Sequence, residues 1–222
     1  NQRKREDLSI LTLTQQGILK RSRVLELPGA SAEIFTLVKV NAKDEFLDAR
    51  IISGYPELLL FTEKGMAIRF SAEEVRPMGL VSAGVNAIKL GPGDKAVAIV
   101  ELIGKGELLV ISDNGLAWRL DESAFPTQGR YGSGVIVAKL SADSKITGIG
   151  YGKKNYQLAL HLKRMAAKLV RIDEIPAGKR ASAGKKVLDV KLNDEIIRVV
   201  SIRDFQEASQ PKPLAKKKKK VK

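Results

Sequence analysis

Cationic side chains recur along this chain at near-constant spacing. Arg21, Arg69, Arg119 and Arg171 each follow a short apolar run and a turn, and Lys39, Lys89, Lys139 and Lys191 fall eighteen to twenty residues after them. Arg76, Arg130, Lys179 and Arg180 lie between, in segments rich in glycine. Guanidinium and ammonium groups donate charge-assisted hydrogen bonds to oxyanions. Set at regular intervals on a rigid body, they make a track for a polyanion, and duplex DNA carries one negative charge per ~1.7 Å of axis. Taken singly, each is as well explained as a solvated charge that discourages sheet-edge association. Recurrence in register favours the binding reading.

Other reactive residue types argue against an enzyme. His161 is the only histidine and cysteine is absent, so neither a zinc site nor a histidine-based triad can be assembled; His161 reads as an ordinary strand residue. The stretch Gly148-Ile149-Gly150-Tyr151-Gly152-Lys153-Lys154 lacks the spacing and the Ser/Thr of a phosphate loop and reads as a connection between units. Asp121-Glu122 and Asp173-Glu174 occupy corresponding places, which points to turn chemistry or capping rather than an acid pair. No catalytic residue, cofactor or metal is expected. Gly79, Gly84, Gly129, Gly132 and Gly134 either admit phosphate to backbone N–H groups or serve as turn residues. Without interleaved aromatics there is no stacking platform for single strands, so duplex is the better substrate.

A repeat must position these cations. Residues 58–70, LLLFTEKGMAIRF, and 108–120, LLVISDNGLAWRL, spell one pattern fifty positions apart. Leu58, Leu108 and Leu158 open three runs, Gly65 and Gly115 follow at the turn, and Gly84, Gly134 and Gly184 recur mid-unit. A first copy, SILTLTQQGILKR from Ser9 to Arg21, is two residues shorter between its turn glycine and Lys39; in a fourth, Met165 replaces the turn glycine, and Arg171 and Lys191 come two residues late. Atypical terminal copies are usual in repeat architectures. Thr62-Glu63-Lys64-Gly65 and Ser112-Asp113-Asn114-Gly115 are turn sequences whose glycine takes a positive φ, so each unit opens with a β-hairpin. After the turn, Met66, Ile68 and Phe70 alternate with Ala67 and Arg69, which places the arginine opposite the bulky apolar face. Two further strands follow in each unit, for example Val85 to Leu90 and Ala96 to Leu102, making about four.

Four-stranded units of ~40 to 50 residues set around an axis are the pattern of a β-propeller. The expected fold is therefore all-β and propeller-like, a domain over residues 6–205 with blades near 8–52, 53–104, 105–152 and 153–205, followed by a disordered lysine-rich tail over 206–222. Kelch repeats share the period, but their paired glycines and aromatic pattern are missing, and a regular solenoid fits poorly with so long a unit.

Bulk composition agrees. The 222 residues are 44% hydrophobic, enough for a sizeable core. Of the net charge of +14, seven units fall in PKPLAKKKKKVK (211–222), so the other 210 residues are still basic by seven. Such a balance draws a protein to nucleic acid first and to anionic membrane second. Absence of cysteine favours a cytoplasmic home. No apolar stretch nears the ~20 residues of a membrane span, no signal core follows Asn1-Gln2-Arg3-Lys4-Arg5, and the start without methionine points to a fragment of a longer polypeptide. In isolation, PLAKKKKKVK also matches a nuclear import signal.

These motifs together resemble the C-terminal domain of bacterial type IIA topoisomerase A subunits, the family of DNA gyrase A and its topoisomerase IV relative. The resemblance rests on GMAIRF and GLAWRL, on GLVSAGVNAIKL and GRYGSGVIVAKL, and on the opening REDLSILTLTQQGILKR, and covers about residues 6–205. It implies a β-pinwheel, a disc in which neighbouring blades exchange strands, with a basic outer rim around which duplex DNA bends. In that family the DNA-cleaving tyrosine and the ATPase lie elsewhere. This chain would then be a wrapping accessory of an ATP-dependent type II topoisomerase, working on the bacterial nucleoid in the cytoplasm. Its partners would be double-stranded DNA, the remainder of the topoisomerase A polypeptide and the separate ATPase subunit. The twelve cations above, Arg21 through Lys191, are the candidate DNA-binding residues. Two departures stand out. Gyrase carries a box reading Gln-Arg-Arg-Gly-Gly-Lys-Gly in its first blade, and nothing between Arg21 and Lys39 matches it; Gln128-Gly129-Arg130-Tyr131-Gly132-Ser133-Gly134 agrees at four of seven places. Four blades, against the family's usual five or six, also shorten the DNA path. The residues alone leave open a protein-interaction propeller with a basic tail for RNA contact or localisation.

Overall fold

The computed structural model describes residues 7–29, 34–191 and 193–202; the expected tail over 206–222 lies outside them. The first copy forms β1 (Leu8–Thr14), β2 (Ile18–Arg23) and β3 (Phe46–Ser53). The second forms β4 (Glu57–Thr62), β5 (Met66–Ser71), β6 (Val85–Asn86) and β7 (Ala96–Leu102). Next come β8 (Glu107–Ser112), β9 (Leu116–Asp121), β10 (Val135–Ile136), β11 (Ala138–Lys139) and β12 (Ile146–Gly152). The last copy gives β13 (Gln157–Leu162), β14 (Lys168–Arg171), β15 (Ser182–Ala183), β16 (Lys185–Lys186) and β17 (Ile196–Ser201).

Four antiparallel sheets result, in the orders β3-β1-β2-β6, β7-β4-β5-β10, β12-β8-β9-β16 and β17-β13-β14. The outermost strand of each of the first three sheets comes from the following copy. Val85 to Leu90 does not form a full strand of its own unit: only Val85–Asn86 is extended, and it joins the preceding sheet, opposite Ile18 and Leu19. The body is therefore a strand-exchanged β-pinwheel of four blades.

Runs such as Leu58-Leu59-Leu60-Phe61 are apolar throughout because both faces of an inner sheet are covered. Leu58, Leu60, Ile68 and Phe70 pack toward the first sheet beside Leu11, Leu13 and Leu19. Leu59, Phe61 and Ala67 pack toward the third beside Leu108, Val110 and Trp118. A further core joins the third and fourth sheets around Leu109, Ile111, Leu158, Leu160 and Ile172. Full burial of one such side chain contributes ~1.5–3 kcal/mol, so blade stacking, not any single sheet, holds the disc.

Mid-unit glycines permit the exchange. A Cβ on Gly134 would stand 2.4 Å from the Ala67 carbonyl oxygen, and one on Gly84 would stand 2.7 Å from that of Leu19. Here the donated strand crosses the hairpin it joins, and nothing larger than hydrogen fits. Both glycines thus serve packing within the disc.

At the opposite edge, β3, β7, β12 and β17 line a central cavity of about 770 Å³. Since this is the inner edge, the donated strands and the connectors around them form the outer rim. Connectors of successive copies bond to one another there: Lys39 N–H to Ser82 O (3.3 Å), Lys89 N–H to Gly132 O (3.0 Å), Tyr131 N–H to Ala87 O (2.9 Å) and Ala181 N–H to Val137 O (2.8 Å). β11 and β15 continue this belt as a parallel pair.

Candidate nucleic-acid interface

Strand register decides what the recurrent arginines do. Arg21, Arg69 and Arg119 lie opposite Leu11, Leu59 and Leu109 in equivalent hairpins. Arg69 Nε donates to Glu57 Oε2 (3.1 Å), two residue pairs along and so on the same face, while Nη1 reaches the Phe125 carbonyl of the next copy (3.3 Å). Arg119 repeats this: Nε and Nη2 bind the Glu107 carboxylate, and Nη1 donates to Ile175 O (3.0 Å). Arg21 donates to Ser9 Oγ (3.0 Å), stacks 4.4 Å above the Tyr55 ring and is buried. The Arg69 and Arg119 guanidiniums clip one blade to the next. Hydrogen bonding from Arg119 holds the Glu107 carboxyl below the usual glutamate range, and the same bond raises the Arg119 guanidinium.

In the fourth hairpin the arginine position is taken by Leu169, opposite Ala159, and Arg171 lies opposite Gln157. Arg171 is exposed and pairs with Asp173 (2.9 Å). Arg130 and Arg180, half-buried, hold donated segments in place: Arg130 Nη1 donates to Asn86 O, and Arg180 Nη1 to Ile136 O (2.9 Å) while its guanidinium lies 5.8 Å from the Phe125 ring centroid.

The remaining six cations are exposed. Lys89 and Lys139 sit on rim connectors just beyond the outermost strands of the first and second blades, and Lys39, fifty residues before Lys89, follows residues 35–38 on the same belt. Their backbone N–H groups are fixed by the belt and their ammonium groups have no acidic partner among the described residues. Arg76, Lys179 and Lys191 are likewise exposed, without an ion pair among the described residues. The structure therefore gathers Lys39, Lys89 and Lys139 on one curved edge and sets Arg21, Arg69 and Arg119 inside the disc.

The family model described as DNA gyrase C-terminal domain, beta-propeller, matches residues 9–32, 56–101, 106–150 and 167–203, more than half of the chain. The chain belongs to this family. DNA gyrase A of Klebsiella oxytoca is 31% identical over 101 residues, covering 46% of this chain and 12% of that protein. That of Lawsonia intracellularis is 36% identical over 92 residues, covering 41% of this chain and 11% of its own length. The matched part of the chain thus covers only about an eighth of the length of these curated relatives. Among solved structures, the C-terminal domain of DNA topoisomerase IV superposes with a TM-score of 0.81 at 24% identity, covering 88% of this chain and 62% of that one. The DNA gyrase A C-terminal domain gives 0.80 at 24% identity, covering 88% and 66%.

Two features of the interface lie outside the expectations drawn from the sequence. Glu57 and Glu107 each precede their arginine by twelve residues, the separation that sets them on one face across a hairpin. Lys185 and Lys186 form the donated strand β16 on the rim, in the places of Val85-Asn86 and Val135-Ile136, with Lys186 paired to Asp189. The fifty-residue period was the available signal for both.

Proposed function

We propose that this domain binds duplex DNA along its outer rim without regard to base sequence and bends it, as the accessory domain of a type IIA topoisomerase. The observation that carries the reading is the series Lys39, Lys89 and Lys139, from three consecutive copies, exposed on the rim belt and without an acidic partner among the described residues. Arg76, Lys179 and Lys191 add exposed charge, and Lys185 lies on the rim strand itself. Arg69 and Arg119 contribute by holding the curvature on which the lysines are spaced. Bending a 20–30 bp stretch by 40–90° costs on the order of 1–6 kcal/mol, which several charge-assisted phosphate contacts offset.

In this reading the remainder of the topoisomerase A polypeptide supplies cleavage, a separate ATPase supplies energy, and the domain acts on the nucleoid. A bending assay on a duplex labelled at both ends tests it, with residues 211–222 removed so that the lysine run contributes nothing. Shortening of the end-to-end distance, abolished by charge reversal at Lys39, Lys89 and Lys139, is expected. Loss of all duplex binding with residues 211–222 would overturn the rim as the binding surface.

A further inference from the structure

Among the described residues, three blade junctions are closed by a donated strand, and both halves of a fourth are unpaired. Phe35-Thr36-Leu37-Val38 occupies the place of Val85-Asn86-Ala87-Ile88 and Val135-Ile136-Val137-Ala138, with apolar residues at the first, third and fourth positions each time. It hangs from the belt in the same way, through Lys39 N–H on Ser82 O. In closed junctions the third residue donates its N–H to the turn of the receiving hairpin: Ala87 to Gly17 O (2.9 Å), Val137 to Gly65 O (2.8 Å) and Val187 to Gly115 O (2.9 Å). Leu37 N–H has no such acceptor among the described residues, and Phe35 is 41% exposed.

The receiving half is on the last blade. Donated strands pair with Ile18–Leu19, Met66–Ala67 and Leu116–Ala117. With Leu158 opposite Val170, as Leu108 is opposite Leu120, the matching residues are Ala166 and Ala167, after Met165 at the turn. All three are exposed and lie in no strand pair. An unpaired sheet edge of this kind is a template for another strand.

The outward faces of the two terminal blades are more polar than an interior blade face, and that of the first blade is covered within the molecule, with Thr12, Lys20 and Ser22 buried. Thr12, Lys20 and Ser22 stand where the second blade has Leu60, Ile68 and Phe70, and Ala159 and His161 stand where the third has Leu109 and Ile111. On the last blade, where His161 is exposed, this suits a contact between separate molecules, which is more polar than a domain interior. Lys20 Nζ donates to the Leu37 and Leu80 carbonyls, holding the free segment at the rim.

We propose that the open halves meet between molecules: residues 35–38 of one copy add as the fourth strand to the 165–171 edge of a second copy. A second copy is the fitting occupant because this one chain carries both halves, equivalent in register, and nothing pairs them among the described residues. The contact is head-to-tail and propagates unless a rotation closes it; its affinity comes from main-chain hydrogen bonds, as in other strand additions. Extending the observed registers puts Phe35 opposite Ala167 and Thr36 opposite Ala166.

The cysteine-free chain makes the test direct. Thr36→Cys and Ala166→Cys variants of the full chain are mixed under mild oxidation, with Ser123→Cys replacing either one as control. The proposal expects a disulfide-linked dimer from the first mixture and none from the controls, and a solution mass of the unaltered chain that rises with concentration. Leu37→Pro, which removes the donor N–H, should abolish that rise while Trp118 emission stays unchanged. A chain monomeric at every concentration, or a Thr36→Cys/Ala166→Cys double variant that links only within one molecule, would overturn it; the latter would mean that the segment closes onto its own last blade.

Discussion

Arg119 Nη1 lies 3.0 Å from the carbonyl oxygen of Ile175, fifty-six residues further along the chain and in the next copy. With Glu107 neutralising the same guanidinium from its own sheet, the arginine ties a backbone carbonyl of one blade to a carboxylate of its neighbour. Arg69 does so between Glu57 and Phe125. The spacing that looks like a ligand track is, at these positions, the spacing of the blades themselves.

Arg119→Ala should therefore act on stability. Hydrogen bonds to charged groups contribute roughly 1.5–3 kcal/mol each, and the pair is mostly buried, so a loss of about that size is expected in urea unfolding. Duplex affinity of the fraction that remains folded should change less than for any rim lysine. A large affinity loss with no change in the urea midpoint would return Arg119 to the binding surface.

Charge reversal on the rim should do the opposite. For Lys39→Glu, Lys89→Glu and Lys139→Glu together, unfolding midpoints should hold, because these side chains have no acidic partners among the described residues. The slope of log affinity against log salt should fall by about 0.9 for each phosphate contact removed. Titrations at several salt concentrations measure this, and an unchanged slope would place the DNA elsewhere.

Much of the architecture was legible because its cause is periodic. Gly65 and Gly115 announce hairpins, and the fifty-residue repeat of Leu58, Leu108 and Leu158 announces stacked blades. The role of each arginine was less legible, since alternation along β5 fixes which face Arg69 points from but not what lies across from it. That depends on Phe125, whose carbonyl arrives through the next copy. Likewise the two-residue slip around Met165 hid the fact that Leu169, not Arg171, takes the arginine register; only pairing with Ala159 decides it. Strand exchange was implied by resemblance alone, because Val85 reads the same whether it joins its own sheet or the previous one.

Acid should loosen the third blade through Glu107. Its folded-state pKa is depressed by the bond from Arg119, so the stabilisation is complete above the ordinary glutamate range and is lost as pH falls through the folded value. Glu195, lowered by its bond from Lys163, has the same sign but is more exposed and contributes less. Thermal midpoints read from Trp118, which is buried and donates Nε1–H to Ser182 O (2.8 Å), should fall on that acid limb. Glu107→Gln should lower the neutral-pH midpoint and flatten the limb; an equally steep limb in that variant would assign the acid sensitivity to other carboxylates.

The strand crossings give the sharpest contrast between two chemically identical substitutions. Gly134 has φ of +75° and faces the Ala67 carbonyl, so alanine there meets both a disfavoured backbone and a main-chain atom that cannot swing aside. Left-handed backbone alone costs a side-chain-bearing residue roughly 1–2 kcal/mol, and displacement of β10 from β5 adds to it. Gly79 lies on the same kind of connector but has no heavy atom within 4 Å of its would-be Cβ and no positive φ. Alanine at that site should be neutral or stabilise by about 0.4–1 kcal/mol through the unfolded chain. Paired urea titrations of Gly134→Ala and Gly79→Ala measure the difference. Equal midpoints would mean that the connectors do not pass between the blades as closely as β10 does.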